Sequence, residues 1–347
     1  MILRRGLDVA VITSSKPVPK SVIERIHTLP TLVPNYPVYI AMPLLGQIQK
    51  IILTEKPDII HVQGLSPLSL AVLWMARRLG VPVVAGIHDL PQNIAVYSPI
   101  ARSFVSTIAK MLLVHLYNGA SVVVAPSKYA KLYYRDLGVQ TEIRVISNGV
   151  DLSFFYPSCQ SSQIFEKQYL SNIDLTLPRV IFVGRIMPDK DLEVMIKATM
   201  DLEAVPIIVG YAWPKYLRKL KALACGKVTF TGPIPSYLLA GAYNSCKIFI
   251  QPSTTELQSL VVLEALASGL PVIGVNSGAI PELITEGING YLFEPYQSDE
   301  LKRKIQHIFE NEELRKDMKA ASLKTAERHS LTNTADEYIK LYTEYVK

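Results

Sequence analysis

The stretch TTELQSLVVLEALASGLPVIGV, residues 254–275, reads as loop, helix and strand in succession. Ser259 is suited to cap the helix start, and Gly269 and Pro271 to end it. Between them, Leu260, Val261, Val262, Leu263, Ala265, Leu266 and Ala267 leave no polar face except at Glu264. A helix apolar all round belongs in a domain core. Glu264 therefore sits where a carboxylate without donors costs on the order of several kcal/mol, and Glu256 lies eight residues earlier, just before the helix.

The same alternation of strand and helix runs through the chain. In the first half DVAVITS (8–14), DIIHVQG (58–64), PVVAGIHD (82–89), SVVVAPS (121–127) and IRVISNG (143–149) read as strands. Helices are expected at about 66–79 and 99–118, and from KYAKLYYRDLG. In the second half RVIFVGR (179–185), PIIVG (206–210), KVTFTG (227–232), KIFIQPS (247–253) and PVIGV (271–275) are strands with helices between them. The polar, poorly patterned segment 158–177 is the best candidate linker region. The fold class is α/β, with two Rossmann-like domains whose parallel sheets face each other across a cleft. In such sheets ligands bind at the carboxyl ends of strands, near helix N-termini.

Composition narrows the class. The chain has 347 residues, 49% of them hydrophobic and 19% charged, ample for two separate cores. No apolar run reaches the roughly 18–20 residues that span a bilayer. After Arg4 and Arg5 the N-terminus lacks the order of a signal peptide. Cys159, Cys225 and Cys246 are odd in number and widely spaced, which fits a reducing cytosol better than a disulfide framework or a metal site. Residues 1–150 hold 15 Lys and Arg against 7 Asp and Glu, a net +8, so the chain total of +6 leaves −2 for the rest. A basic first half suits an anionic membrane surface, a nucleotide or nucleic acid, or is simply a solvated surface.

In FVGRIMPDKDL (182–192) a strand ends at Val183 and Gly184 allows a ligand to approach the backbone. Arg185 and Lys190 follow on the same loop, as a diphosphate clamp or as ordinary surface cations. At the start of the helix after Ser259, free N–H groups would favour a phosphate. Glu264 could then accept from ribose hydroxyls and Glu256 from those of a sugar. Otherwise Glu264 forms a buried salt bridge and Glu256 is a solvated loop carboxylate.

Several stretches together resemble the retaining family 4 glycosyltransferases of GT-B architecture. They are PDIIHVQG, GVPVVAGIHD, VVAPSKYAKLYYRDLG, VISNGVD, FVGRIMPDKDL, TFTGPIP and the run from PSTTELQSLVVLEALASGLPVIGVNSGAIPELI to GINGYLFEP. They cover most of the chain from Asp58 to about Pro295. The resemblance implies a hexosyltransferase in which Glu256 and Glu264 form the E-x7-E motif, the first contacting the donor sugar and the second the ribose. It makes Arg185 and Lys190 the diphosphate pair and His88 the N-domain histidine facing the sugar. Donor contacts would further come from Gly184, Gly232, Ile234, Leu257, Gln258, Ser259 and Leu260, with the base held by TGPIP (231–235). The implied domains are 1–151 on the acceptor side, 152–330 for the nucleotide sugar, and a terminal helix 331–347 crossing back to the first. Transfer would retain anomeric configuration with no metal, no other cofactor and no protein nucleophile. A diphosphate oxygen would take the acceptor proton.

Three departures stand out. MILRRGLDVAVITSS enters the family pattern in mid-course, so the first strand–helix unit is expected to be missing, through a late start at Met1 or a natural truncation. ELQSLVVLE replaces the common E-G-F-G start and is closer to the E-T-Q-G version of enzymes that glucosylate diacylglycerol lipids. Tyr211, Ala212 and Trp213 stand where Gly-x-Gly-Pro is usual, so Trp213 reshapes the nucleotide pocket or simply packs.

The expected partners are a UDP- or GDP-linked sugar, a lipid or cell-envelope glycan acceptor, and an anionic membrane met by SPIARSFVSTIAKMLLVHLYNG with its Arg102 and Lys110; no nucleic acid is expected. The alternative for that segment is a buried helix with snorkelling cations. The expected location is cytoplasmic, peripheral to the membrane face. A non-catalytic nucleotide-sugar-binding protein and an epimerase of the same architecture are the rival functions. A dinucleotide oxidoreductase is disfavoured, because no strand is followed by G-x-G-x-x-G.

Overall fold

The computed structural model describes residues 6–14, 25–33, 40–91 and 102–346. Arg4, Arg5, residues 98–101 of the basic segment and the Arg102 side chain lie outside what is described. The chain divides into two compact units, one of residues 1–147 with 335–347, the other of residues 148–334.

In the first unit four parallel strands lie in chain order: β5 (Ile60–Gln63), β6 (Val83–Gly86), β7 (Val122–Ala125) and β8 (Ile143–Val145). Every residue of β6 and β7 is buried, which is why they read as valine-rich runs with no polar residue. They are linked by α2 (Pro67–Leu79), α3 (Arg102–Gly119) and α4 (Lys128–Asp136). Two of these helices start as the sequence dictates: Ser66 accepts from the Ser69 amide ahead of Pro67, and Ser127 accepts from the Ala130 amide. Ahead of this sheet, β1 (Ala10–Ser14) pairs in parallel with β2 (Arg25–Leu29), β3 (Thr31–Val33) pairs antiparallel with β4 (Ile40–Ala41), and α1 (Leu45–Glu55) follows.

In the second unit six parallel strands have the spatial order β11-β10-β9-β12-β13-β14. They are β9 (Arg179–Val183), β10 (Val205–Val209), β11 (Thr229–Gly232), β12 (Ile248–Gln251), β13 (Val272–Val275) and β14 (Gly290–Phe293). Counted within the unit this is 3-2-1-4-5-6, the Rossmann order, with its switch point between β9 and β12. The helices are α5 (Cys159–Tyr169), α6 (Leu192–Thr199), α7 (Pro214–Ala224), α8 (Leu239–Asn244), α9 (Leu260–Ala267), α10 (Ser298–Glu310) and α11 (Glu312–Arg328). The last helix, α12 (Leu331–Tyr345), begins with the second unit and ends with the first. There Leu341 packs on Val84, Val122, Val124 and Ile146. Burying one such side chain stabilises by about 1.5–3 kcal/mol.

The expectation of a linker at 158–177 is corrected. Ser158 caps α5, whose fully buried Phe165 stacks on Tyr169. One buried ring anchors a helix whose remaining surface is polar, so the segment looked unpatterned. The division between units falls earlier, at Ser147 and Asn148.

Candidate functional site

Three strands of the second unit end side by side on glycine. Gly184, Gly210 and Gly232 follow or close β9, β10 and β11, all with positive φ. The Gly184 amide donates to the Val209 carbonyl and the Gly210 amide to that of Gly232. A Cβ on Gly210 would stand 1.9 Å from the Gly184 carbonyl oxygen, so only glycine permits this approach. The loops beyond are tied by Ile186 to Tyr211 and by Trp213 back to Ile186 through backbone bonds. The Trp213 side chain is half exposed. Ile234 packs partly buried against the core.

The loops after β9 and β12 flank the switch point and bring Lys190 to Glu256. The Lys190 ammonium donates to Glu256 Oε1 at 2.8 Å, with 13% and 15% of the two side chains exposed. It also reaches Ser253 Oγ at 3.5 Å and Asp189 Oδ2 at 3.4 Å. Burial depresses the Lys190 pKa and nearby Arg185 depresses it further, but Glu256 and Asp189 outweigh both, so the net direction is upward. Lys190 is therefore a cation at neutral pH. Asp189 Oδ1 and Thr255 Oγ1 are buried there without hydrogen-bond partners. Asp191 Oδ2 accepts from the Thr254 hydroxyl at 3.0 Å and pins the two loops together. From the far side Ala279 donates to the Glu256 carbonyl at 3.0 Å. A Cβ on Gly278 (φ +60°) would lie 2.8 Å from that carbonyl oxygen.

Glu264 is half-buried on α9, and its Oε2 accepts from the Tyr243 hydroxyl at 2.7 Å. The donor is thus a phenol from α8, and the expected alternative of a salt bridge to a basic residue is not what forms. Burial raises the Glu264 pKa, with the Tyr243 hydrogen bond opposing it. Tyr243 is fully buried, and its own pKa is pushed up by burial and by Glu264. Glu264 Oε1 makes no hydrogen bond among the described residues, which leaves one acceptor oxygen for a ligand.

One further expectation is corrected. Ser259 occupies the N-cap position of α9, but its side chain does not cap the helix. Its Oγ accepts instead from the buried Gln251 amide at 2.7 Å, leaving the first N–H groups of α9 without a side-chain cap. Gln258 directs its side-chain oxygen to the Asn148 amide at 2.7 Å, tying the loop after β12 to the segment where the second unit begins. Leu257 is buried and Leu260 is exposed, so neither offers more than its backbone to a polar ligand. Tyr243, Asp189 and Ser253 were missed in the sequence, since nothing in their spacing marks them.

His88 belongs to the first unit. It lies just beyond β6, exposed, with its Nε2 hydrogen-bonded to Gln63 Oε1. Desolvation lowers its pKa, while Asp89 acts the other way. The Asp89 carboxylate accepts from the Leu65 amide, and its carbonyl accepts from the Tyr134 hydroxyl.

Comparisons with known proteins agree with this layout. The model described as Glycosyltransferase Family 4 matches residues 2–154, and that described as Glycosyl transferases group 1 matches residues 164–325. Anabaena HepE in complex with UDP and glucose superposes with a TM-score of 0.80 at 20% identity, covering 99% of this chain and 94% of that one. Sucrose-phosphate synthase from Thermosynechococcus elongatus also superposes at 0.80 and 20% identity, covering 99% and 90%. These likenesses establish the GT-B architecture.

Among curated relatives, sulfoquinovosyl transferase SQD2 of Arabidopsis thaliana is 31% identical over 84% of this chain and 58% of its own length. Alpha-monoglucosyldiacylglycerol synthase of Streptococcus pneumoniae is 29% identical over 68% of this chain and 56% of its own. The chain belongs to glycosyltransferase family 4. It spans under two thirds of the length of the first curated relatives it matches.

Proposed function

We propose that the chain is a retaining hexosyltransferase that moves a sugar from a nucleoside diphosphate to a hydroxyl of a lipid or envelope glycan. The observation that carries this reading is the Lys190–Glu256 pair at the Rossmann switch point, with Arg185 close enough to perturb Lys190. An arriving diphosphate competes for Lys190 and releases Glu256 to accept from sugar hydroxyls. Glu264 Oε1 accepts from the ribose, and backbone groups at Gly232 and Ile234 meet the base. As the glycosidic bond breaks, negative charge grows on the departing diphosphate. Arg185, Lys190 and the uncapped N-terminus of α9 stabilise it, and these fixed charges can serve in place of a metal ion. The acceptor attacks from the face the diphosphate leaves and passes its proton to a diphosphate oxygen.

The test is a thermal-shift screen of UDP-glucose, UDP-galactose and GDP-mannose. A ligand at 100 times its Kd adds about 2.7 kcal/mol of stability. Glu264→Ala should lose the response. No response from wild type, or an equal response from Glu264→Ala, would sink the donor-site reading.

A membrane acceptor is supported by one surface. On α3, Phe104, Ile108, Met111 and Leu112 are exposed around Lys110, and α2 adds exposed Trp74 with Arg78 over its ring. Neither helix contains an acidic residue. A pocket of about 340 Å³ lies among Leu70, Leu73, Trp74, Arg77, Arg78 and His115. Apolar side chains ringed by cations suit the interface of an anionic bilayer. Among the described residues no helix is long and apolar enough to cross a membrane.

A further inference from the structure

A chain of hydrogen bonds runs through the first unit from its last helix to His88. The Tyr342 hydroxyl on α12 lies 2.7 Å from His61 Nδ1 on β5. The side-chain nitrogen of Gln63 lies 3.1 Å from His61 Nε2 and 3.5 Å from Nδ1. Gln63 Oε1 then meets His88 Nε2. Tyr338 and Tyr342 flank the His61 ring at centroid distances of 5.4 and 5.9 Å.

The backbone makes this contact possible at one position. Gly86 pairs with Gln63 across β5 and β6. A Cβ at Gly86 would stand 2.8 Å from His88 Nε2 and 3.0 Å from Gln63 Oε1. Any larger residue would push these two side chains apart. Gly64 (φ +68°) likewise admits the Asp89 carboxylate, from which a Cβ there would be 2.6 Å away.

The direction of each bond follows from what each group can do. Burial, and to a smaller extent His88, lower the His61 pKa to about 4, so the ring is neutral at pH 7. A neutral imidazole has one N–H and one lone pair. The Gln63 amide nitrogen can only donate, so its contact with the His61 ring turns the other end of the amide, Oε1, toward His88. Gln63 Oε1 can only accept, so His88 Nε2 carries a proton. His88 Nδ1 has no hydrogen bond among the described residues.

We propose that Tyr342, His61 and Gln63 form a positioning relay that fixes His88 as its Nε2–H tautomer and leaves Nδ1 as a hydrogen-bond acceptor. The second nitrogen of a histidine is commonly set by the bond the first one makes. Here the setting originates in the terminal helix, 281 residues from His61. The relay accepts a hydroxyl donor at Nδ1 and rejects an acceptor there. Its catalytic consequence rests on the donor reading of His88 given above; the tautomer does not.

The experiment is long-range ¹H–¹⁵N correlation on the full chain labelled with ¹⁵N-histidine, at neutral pH and without substrate. His88 is assigned by His88→Gln and His61 by His61→Gln. Wild type is expected to show His88 protonated at Nε2 with widely separated ring-nitrogen shifts, and His61 neutral. Gln63→Met, a substitution at an exposed position, should collapse much of the His88 separation. Tyr342→Phe, which keeps the ring and removes only the hydroxyl, should do so in part, and Gln63→Asn should restore none of it. A His88 ring protonated at Nδ1 in wild type, or one unmoved by Gln63→Met, would overturn the relay. A donor screen that fails while these shifts appear would instead remove the catalytic reading and leave the relay standing.

Discussion

Lys190 Nζ and Glu256 Oε1 stand 2.8 Å apart, on loops 66 residues distant in the chain, with little of either side chain exposed. Together with the Asp191–Thr254 bond, the pair ties together the loops that flank the switch point of the second unit.

Removing one partner should hurt more than removing both. Lys190→Met leaves Glu256 and Asp189 without their cation, and Glu256→Gln in that background should recover part of the loss. A coupling of about 0.5–3 kcal/mol is expected from a double-mutant cycle in urea. The folded pKa of Lys190 lies above its unfolded value of 10.5, so its contribution is whole below pH 10.5 and is lost as pH rises through the folded value. Additive losses, or a stability gap that changes between pH 6 and 9, would contradict the pairing.

Glu264 should trade stability for binding. Its folded pKa lies above the unfolded 4.5, so the native state binds more protons between the two values and stability falls as pH rises through that window. Glu264→Gln should accordingly be more stable than wild type at pH 7, with the gap closing as pH falls toward 4.5. Denaturant titrations at a series of pH values check the sign. Tyr243→Phe should cost about 1.5–3 kcal/mol, as for loss of a hydrogen bond to a charged group.

Gly210→Ala tests the strand-end packing. The new methyl would meet the Gly184 carbonyl oxygen at 1.9 Å with the backbone at φ +140°. The loss should exceed about 1 kcal/mol and should weaken any nucleotide response with it. Gly138→Ala, with nothing within 4 Å but a positive φ, gives the strain without the clash. Equal losses at the two sites would show that the close approach contributes nothing.

The membrane surface gives a salt-dependent prediction. Basic residues near an anionic leaflet contribute about 1 kcal/mol each. Arg77→Ala, Arg78→Ala and Lys110→Ala together should weaken flotation with phosphatidylglycerol vesicles by about 100-fold at low salt. Trp74→Ala should weaken it without changing the salt slope. Wild-type protein that fails to float at low salt removes the surface from the proposal.

Much of the fold was legible because its strands are buried on both faces. Val122–Ala125 and Ile248–Gln251 are wholly buried; the first is an apolar run and the second is apolar up to Gln251. The short pairings of β2, β3 and β4 and the helix α1 carry no such signal, and α5 hides behind a polar surface with one buried ring. At the site, the spacing of Glu256 from Glu264 and of Arg185 from Lys190 was visible. Their partners were not. Ser259 looked like a cap because serine before an apolar run usually is one, yet Gln251 holds its hydroxyl.

By itself the sequence determined the α/β class, the glycines at strand ends, the buried helix that carries a carboxylate, and the family. These are local: they follow from apolar periodicity, backbone freedom and short spacings that every turn of chain obeys. Only the tertiary structure decided that Tyr243 rather than a cation holds Glu264, that Lys190 closes on Glu256, and that Tyr342 reaches His61. Hydrogen bonds and ion pairs act over a few ångströms of space whatever the distance along the chain. Which groups meet is therefore settled by how the sheets and helices pack.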